Sequence, residues 1–350
     1  MKLNGFITSL QLGLQKFRIM FLLLLPLVIL SQELWADPLP SWNNGTAKRN
    51  IIEFVQSVTN KSNPHYVQPD KRIATFDNDG TLWVEQPLYT QLIFAMDRVN
   101  AVALIHPEWN SEQPFSAIIQ NDKEAMKHFS VEDLNKIASA THTDLSIDQY
   151  HQVASTWFNT AKNPRYQHLY KETIYQPMLE VIHYLKGHGF KVYIVTGGGQ
   201  EFVRSFAKEA YGIDSEYVIG TIGETKYTYV NNTPELMKTP ELLFLNDKEV
   251  KPEAINYFIG KKPIIAFGNS DGDKEMLEWT QSNKEPHLMV LIHHDDTARE
   301  YAYDTQSKIG TFSDALRKHA IQNHWNIVSM KSDWKVLFPF ELKNSNPQEK

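Results

Sequence analysis

The second half of the chain alternates between segments with helical spacing of apolar residues and short apolar runs, and this order sharply limits the folds available to it. Such alternation is typical of an α/β protein with a parallel sheet covered by helices on both faces. The strands are predicted at residues 72–76, 190–195, 263–267 and 288–292. The helices between them are predicted at residues 178–186, 201–211, 253–259 and 273–280.

The stretch between the first and second predicted strands has a different pattern. It reads as consecutive helices, at residues 88–105, 125–129, 131–140, 146–160 and 166–175. We expect this helical insertion to lie over the carboxyl edge of the sheet. The predicted organisation is therefore a core of residues 37–86 and 176–330, a cap of residues 87–175 and a C-terminal tail of residues 331–350. Two runs at 217–221 and 226–230 are predicted as short strands joined by a turn.

The first 36 residues resemble an export signal. Lys2, Lys16 and Arg18 precede an apolar run at 19–30, and Ala36 is the best cleavage candidate. The run is shorter than the roughly 20 residues that span a bilayer. We predict a cleaved signal peptide, a periplasmic or secreted protein and no stable membrane association after cleavage, with an uncleaved membrane anchor as the alternative.

The charge and the cysteine content exclude a general nucleic-acid binder and a protein stabilised by disulfides. Residues 37–350 carry 32 basic and 40 acidic side chains, a net charge of −8, so a general nucleic-acid binder is not expected, because such proteins need a basic face. The chain has no cysteine. An exported domain of this kind must be stable without disulfides.

Polar and glycine-rich segments follow three of the predicted strands. They are residues 77–81 (Asp-Asn-Asp-Gly-Thr), residues 196–199 (Thr-Gly-Gly-Gly) and residues 268–273 (Gly-Asn-Ser-Asp-Gly-Asp), and Lys251 opens the helix before the third strand. Ligands of open α/β sheets bind outside the carboxyl ends of the strands. The sequence therefore predicts one site built from these segments.

Each segment also has a simpler interpretation. Asp79 and Gly80 could form a hairpin turn. An EF-hand register that puts Gly80 at its sixth position places Thr75 at its first and fails. The glycine triplet is not a full dinucleotide motif, because Phe202 stands where its third glycine should be. The run of residues 293–296 (His-His-Asp-Asp) lacks the spacing of a helical metal site. It is the combination of segments, in this order, that favours a catalytic site.

In this combination the chain resembles the haloacid dehalogenase superfamily, in particular its phosphoserine-phosphatase-like branch. Residues 76–83 match the first motif of that superfamily, residues 192–197 the second, Lys251 the third and residues 268–277 the fourth. The resemblance covers roughly residues 70–300. It implies a Rossmann-like parallel sheet with the helical cap inserted between the first two motif strands.

The resemblance also implies a role for each residue type. Asp77 is expected to attack phosphorus and form an aspartyl phosphate, and Asp79 to act as acid and then as base. Thr196, Gly197, Lys251 and Thr81 are the expected phosphate-binding residues. Mg²⁺ is expected to be bound by Asp77, Asp79, Asn269 and Asp273, with Asp271 as an additional candidate. Asn269 stands where the family usually has aspartate, which places the affinity for metal in question.

The expected function is an exported, Mg²⁺-dependent phosphomonoesterase for a small phosphate ester. A non-catalytic binding protein of the same fold and a phosphotransferase are the alternatives. Four aromatic residues are candidates for the cap lining, and their convergence would favour a quaternary ammonium substrate such as phosphocholine through cation–π contacts. They are Trp83, Tyr89, Trp109 and Trp157. The sequence makes no prediction of oligomeric state.

Overall fold

The computed structural model of the protein describes residues 37–344. The predicted signal peptide, residues 1–36, lies outside the described residues, as do residues 345–350. The strands are β1 (Ile73–Phe76), β2 (Lys191–Gly199), β3 (Val218–Val230), β4 (Thr233–Phe244), β5 (Ile265–Gly268), β6 (Leu288–His293) and β7 (Asn326–Ser329).

The helices divide between the core and the insertion. The first core helix is α1 (Thr46–Thr59), and the insertion contains α2 (Thr90–Val102), α3 (Phe115–Ile119), α4 (Lys123–Met126), α5 (Val131–Ala140) and α6 (Ile147–Phe158). The remaining core helices are α7 (Gln176–Gly187), α8 (Gln200–Tyr211), α9 (Val250–Phe258), α10 (Lys274–Gln281), α11 (Asp314–Gln322), α12 (Met330–Asp333) and α13 (Pro339–Asn344).

The seven strands form one sheet in the order β4-β3-β2-β1-β5-β6-β7. All neighbouring pairs are parallel except β3 with β4. The central strand β1 is buried along its whole length, and Phe76 stacks on Phe267 of β5 with ring centroids 4.2 Å apart. The predicted α/β class is confirmed, with a Rossmann-like, mostly parallel sheet.

The helical insertion leaves and rejoins the core through two adjacent chain segments. Val84 N donates to Thr173 O at 3.2 Å, and Tyr175 N donates to Leu82 O at 2.8 Å. Capping boxes begin α5 at Ser130 and α6 at Ser146, where each serine and the side chain three residues later satisfy free backbone N–H groups. The helix predicted at residues 166–175 is wrong. Only a 3₁₀ turn, Tyr170–Glu172, forms there.

The two short strands predicted at residues 217–221 and 226–230 are one continuous strand, β3. The glycine interpreted as part of a turn, Gly223, lies within it and pairs with Leu242. The antiparallel partner β4 was not predicted, because its two prolines and three charged residues hide the strand pattern. Together β3 and β4 form a long hairpin at the edge of the sheet, and Ser146 of the cap forms a bridge with Met237 of β4.

The segment predicted as a C-terminal tail is folded as far as it is described. Trp334, Leu337 and Phe338 are buried, and Trp334 packs edge-on against Trp42 at a centroid distance of 5.9 Å. These apolar side chains remove area from water, so the tail boundary at residue 331 is corrected. Among residues 37–344, no helix is long and apolar enough to cross a membrane.

Candidate active site

Lys251 lies between two carboxylates at the carboxyl edge of the sheet. Its Nζ donates to Asp77 Oδ1 at 2.7 Å and to Asp273 Oδ1 at 2.6 Å. Asp77 directly follows β1, and Asp273 lies in the loop after β5. Because β1 and β5 pair in parallel, the two carboxylates meet at one edge. The Lys251 side chain is only 3% exposed, so these are buried ion pairs.

Positive charge is scarce around the Asp77 carboxylate. Burial raises the pKa of Asp77 well above its usual range, Asp273 adds to the rise, and Lys251 opposes it. Burial lowers the pKa of Lys251, but Asp273 and Asp77 outweigh that effect and raise its pKa overall. A single ammonium group therefore faces two carboxylates and can balance the charge of only one. A nucleophilic Asp77 must be ionised, which requires further positive charge nearby.

Asp79 faces the same space with one of its oxygens anchored. Trp83 Nε1 donates to Asp79 Oδ1 at 2.9 Å. A Cβ placed on Gly198 would lie 3.4 Å from Asp79 Oδ2, so that oxygen faces the glycine loop. Burial raises the pKa of Asp79, although hydrogen bonds from Trp83 and Asn78 oppose the rise. A carboxyl group held in this way is suited to donate a proton and later accept one.

The glycine segment at the carboxyl end of β2, which extends through Gly199, contributes backbone to the site. Thr196 Oγ1 accepts a hydrogen bond from Gly198 N at 3.0 Å, and Gly199 N donates to Gln91 Oε1 of α2 at 2.7 Å. Thr196 is fully buried and lies behind the cavity surface, whereas Gly197 lines it. The predicted phosphate-binding roles of both residues stay predictions.

Thr81 connects the first loop to the fourth. Its Oγ1 donates to Asn269 Oδ1 at 3.1 Å, and both side chains are buried. The cavity wall includes Lys251 but not Thr81. Thr81 therefore holds the first and fourth loops together. Its position does not support its predicted role in binding phosphate.

Two predicted metal ligands make other contacts. Asp273 Oδ1 accepts from Lys251, and Asp273 Oδ2 accepts from the backbone N of Asn269 at 2.9 Å and of Ser270 at 3.0 Å. Asp271 Oδ1 accepts from Ser313 Oγ at 2.8 Å, which directs it to the start of α11. Asp273 thus holds Lys251 in place, and Asp271 holds a neighbouring loop. Their metal-binding roles stay predictions that these contacts do not support.

A divalent cation nevertheless fits the chemistry of this site. Within residues 37–344, no three His, Cys, Asp or Glu side chains converge as a metal cluster, so carboxylates alone would not form the coordination shell. The Asp77 carboxylate and the Asp79 backbone carbonyl would hold the ion together with water, and the Asn269 amide oxygen, which accepts from Thr81 Oγ1, has a second lone pair for it. Mg²⁺ prefers such oxygen donors. The ion would also supply the positive charge that Asp77 lacks.

Above these residues lies a cavity of about 900 Å³. Its floor contains Asp77, Asp79, Gly197 and Lys251, and its walls come from the cap helices α2, α5 and α6 and from the β3–β4 hairpin. A cavity of this volume can hold a small organic molecule. The predicted cap therefore forms one wall of the site, and the hairpin, which was not predicted, forms another.

Comparison with protein-family models places this arrangement among known proteins. The model described as haloacid dehalogenase-like hydrolase matches residues 74–278, which is more than half of the chain and includes all four predicted motifs. The chain belongs to the haloacid dehalogenase-like hydrolase family. No curated protein matches it.

Solved structures are similar to this family member at low sequence identity. A conserved protein of unknown function from Anaerococcus prevotii DSM 20548 is 14% identical, with a TM-score of 0.55, over 86% of this chain and 98% of that one. A phosphoserine phosphohydrolase-like protein from Francisella tularensis subsp. tularensis SCHU S4 is 15% identical, with a TM-score of 0.37, over 71% and 99% of the chains. A probable phosphoserine phosphatase from Vibrio cholerae is 16% identical, with a TM-score of 0.35, over 67% and 62%. The predicted membership of the haloacid dehalogenase superfamily is confirmed by the family model, and the phosphoserine-phosphatase-like branch stays a prediction.

Glu85 is a buried acid of the site that sequence reasoning missed. Its Oε1 accepts from Asn269 Nδ2 at 2.7 Å and from Tyr303 Oη at 2.7 Å. Burial raises its pKa well above the usual range, against the hydrogen bonds from Tyr303 and Asn269. A carboxylate therefore lies beside the position where the family acid is replaced by Asn269. The sequence offered one indication of this role, namely the presence of an acidic residue, Glu85, four residues after Thr81.

His294, which directly follows β6, braces the first loop at the carboxyl edge of the sheet. Its Nε2 lies 2.7 Å from Gly80 O and its Nδ1 lies 3.2 Å from Glu300 Oε2. A carbonyl oxygen only accepts, so Nε2 carries the hydrogen of the first contact. Both His294 and Glu300 are buried. The rejected metal interpretation of residues 293–296 is replaced by this supporting role.

The four aromatic candidates do not converge on the cavity. Trp83 is fully buried and stacks on Phe206 at a centroid distance of 4.6 Å. Trp109 stacks on Phe115 and Trp157 donates to Asp97, so both pack within the insertion. Of the four candidates only Tyr89 lines the cavity, so they do not form the predicted cage for a quaternary ammonium, and the phosphocholine hypothesis loses the support they would have given it.

Proposed function

We propose that the protein is a metal-dependent phosphomonoesterase that acts through an aspartyl-phosphate intermediate on Asp77. The observation that carries this proposal is the buried Asp77–Lys251–Asp273 arrangement with Asp79 beside it. Membership of the haloacid dehalogenase-like hydrolase family supports a phosphatase-type function. The export predicted from residues 1–36 remains part of the proposal.

In the first step an oxygen of Asp77 attacks phosphorus as the bond from phosphorus to the alcohol oxygen breaks. Asp79 gives its proton to the departing alkoxide, which leaves as a neutral alcohol. Lys251 offsets negative charge at the attacking carboxylate. Bound Mg²⁺ would supply additional positive charge for the phosphoryl oxygens.

In the second step water replaces Asp77 on phosphorus. Asp79, now a carboxylate, accepts a proton from that water, and the bond between phosphorus and the Asp77 oxygen breaks. Inorganic phosphate leaves and both aspartates return to their starting states. The anchoring of Asp79 by Trp83 serves both steps, because the same oxygen must face the alcohol and then the water.

The test is phosphate release from p-nitrophenyl phosphate with Mg²⁺ and with EDTA. Asp77→Asn and Asp79→Asn are expected to lower kcat by at least about 100-fold. Asp271→Asn is the matched control, because it removes an acid of the fourth loop that binds Ser313 instead of Lys251, and it should keep most of the activity. Wild-type activity in Asp77→Asn would refute the proposal. Phosphate binding without hydrolysis over a broad substrate panel would favour the non-catalytic alternative.

A further inference from the structure

Lys238 is a buried lysine in the cavity wall without a carboxylate partner. It lies on β4, is 6% exposed and lines the same cavity as Asp77. Burial lowers its pKa, and the only opposing influence is the charge of Glu201. Within residues 37–344 its ammonium group takes part in no salt bridge or hydrogen bond. Its contact is with the face of Tyr150, whose ring centroid lies 5.0 Å away.

The other cavity-lining basic side chains are neutralised by the protein. Lys251 binds Asp77 and Asp273, and Arg204 Nη1 lies 2.9 Å from Glu201 Oε1. A buried ammonium group without such a partner is costly, because it has lost water and gained no anion. A contact with an aromatic face offsets part of this cost. Unlike Lys251 and Arg204, Lys238 therefore remains able to bind an anion from outside the protein.

The space around the Lys238 ammonium group is shaped by a glycine. A Cβ placed on Gly223 would lie 3.5 Å from Lys238 Nζ and 3.9 Å from His142 Nε2. The two nitrogens thus approach one point in the cavity wall where no side chain projects. Burial, together with the charge of Lys238, lowers the pKa of His142 to about 4. At neutral pH, Lys238 is the cation of this group and His142 is an uncharged hydrogen-bonding neighbour.

We propose that Lys238, with His142 and Tyr150 around it, binds an anionic group on the alcohol part of the substrate. The phosphate ester cleaved at Asp77 then carries a carboxylate or a second phosphate at its other end. This inference rests on the proposed phosphatase function, since both ends of the substrate occupy one cavity. The backbone of Lys238 is held in place, because Lys238 N donates to Leu145 O of the cap at 2.9 Å. The side chain that carries the ammonium group therefore starts from a fixed position on β4.

The test compares substrates that differ in the distal group alone. In one pair, 3-phosphoglycerate carries a carboxylate where glycerol 3-phosphate carries a hydroxymethyl group. In a second pair, ethylene glycol bisphosphate is compared with 2-hydroxyethyl phosphate. The wild type should prefer the anionic member of at least one pair in kcat/KM. In Lys238→Met that preference should fall by about 10- to 100-fold, the range of a charge-assisted hydrogen bond. Which pair responds distinguishes a carboxylate from a phosphate.

Two variants control for folding and for general charge. Lys238→Arg keeps the positive charge and should keep the preference. Lys226→Met removes an exposed lysine of β3 that is paired in register with Met237, so the hairpin loses the same charge one position away from the cavity wall. Its substrate preference should match the wild type. Equal preference in Lys238→Met and wild type, for both pairs, would overturn the inference while leaving the phosphatase function intact.

A binding measurement keeps the inference testable if no ester is hydrolysed. Isothermal titration with glycerate and with 2-hydroxyethylphosphonate, whose C–P bond a phosphomonoesterase does not cleave, each compared with its uncharged parent alcohol, reports on the distal site without turnover. At least one anion should bind the wild type about 10-fold or more tightly than it binds Lys238→Met. Equal affinity of both proteins for both anions would refute the role of Lys238, whereas absent hydrolysis of every ester would refute the phosphatase proposal.

Discussion

Asn269→Asp is predicted to destabilise the protein, although it restores the residue that the family usually has at this position. In the wild type, Asn269 Nδ2 donates to Glu85 Oε1 at 2.7 Å. An aspartate would place a carboxylate oxygen against another carboxylate oxygen in a buried setting. Two unit charges at that distance repel by about 6 kcal/mol at an effective dielectric constant of about 20.

Protonation of one carboxyl group limits the actual cost. Neutralising an acid at pH 7 costs about 1.4 kcal/mol for each unit by which its pKa lies below 7, and the pKa of Glu85 is already raised by burial. We therefore expect Asn269→Asp to lower the free energy of unfolding by about 2–3 kcal/mol. The exchange variant, Glu85→Gln with Asn269→Asp, should recover about 2 kcal/mol of that loss, because the introduced glutamine amide can donate to the new carboxylate.

The assay is urea unfolding of the wild type, both single variants and the double variant, followed by tryptophan fluorescence in EDTA at pH 7. EDTA is required because a bound cation would mask the repulsion. The four free energies give a coupling energy between the two positions, expected near 2 kcal/mol. An Asn269→Asp protein as stable as the wild type, or a double variant whose change equals the sum of the single changes within about 0.5 kcal/mol, would refute this account of the pair.

Three further predictions concern other groups of the site. Lys251→Met should lower the free energy of unfolding by about 3–5 kcal/mol at pH 7, with a smaller loss at acidic pH, where Asp77, whose pKa is raised by burial, gains a proton. A loss below about 1 kcal/mol in urea unfolding would contradict the buried ion pairs. His142→Gln should reduce the acid sensitivity of stability. The depressed pKa of His142, about 4 against 6.5, means that the unfolded chain binds the proton first, so stability falls as the pH drops from about 6.5 to about 4. The wild type should lose about 1–3 kcal/mol more than the variant over that interval, and equal pH dependence of the two proteins would oppose this. Trp83→Phe should move the pH profile of kcat for phosphate release upward by up to about 1 unit, because a hydrogen bond that lowers the pKa of Asp79 is removed. An unchanged or downward-shifted profile would count against the proposed acid.

The parts of the site that could be predicted from the sequence are those whose position depends only on residues close to them along the chain. A buried strand followed at once by Asp77 and Asp79 fixes where those side chains lie, because the carboxyl ends of parallel strands share an edge. The ion pair between Lys251 and Asp77 joins positions 174 residues apart. It was accessible from sequence only through the order of the family motifs.

The parts that were missed depend on pairings that leave no local pattern. Glu85 belongs to the site because it accepts a hydrogen bond from Asn269, 184 residues further along the chain. His294 belongs to it because it contacts Gly80 O, 214 residues away. Lys238 lies on β4, which its prolines and charged residues conceal. An acid or a lysine at such positions resembles any solvated side chain until the tertiary structure removes its water.

The hairpin formed by β3 and β4 has a consequence for the rate at which molecules exchange with the cavity. Lys238 N donates to Leu145 O, Asp144 N donates to Lys238 O at 3.2 Å, and Ser139 Oγ donates to Pro240 O at 2.9 Å. The insertion is thus fastened at its far end as well as at its two crossings to the core. Rotation about the crossings must break these three hydrogen bonds together with those from Gly199 N to Gln91 Oε1 and between His151 and Glu201, at a net cost of at least about 2 kcal/mol. The open form would then be populated at a few per cent or less, and product departure would be limited by how often these contacts release.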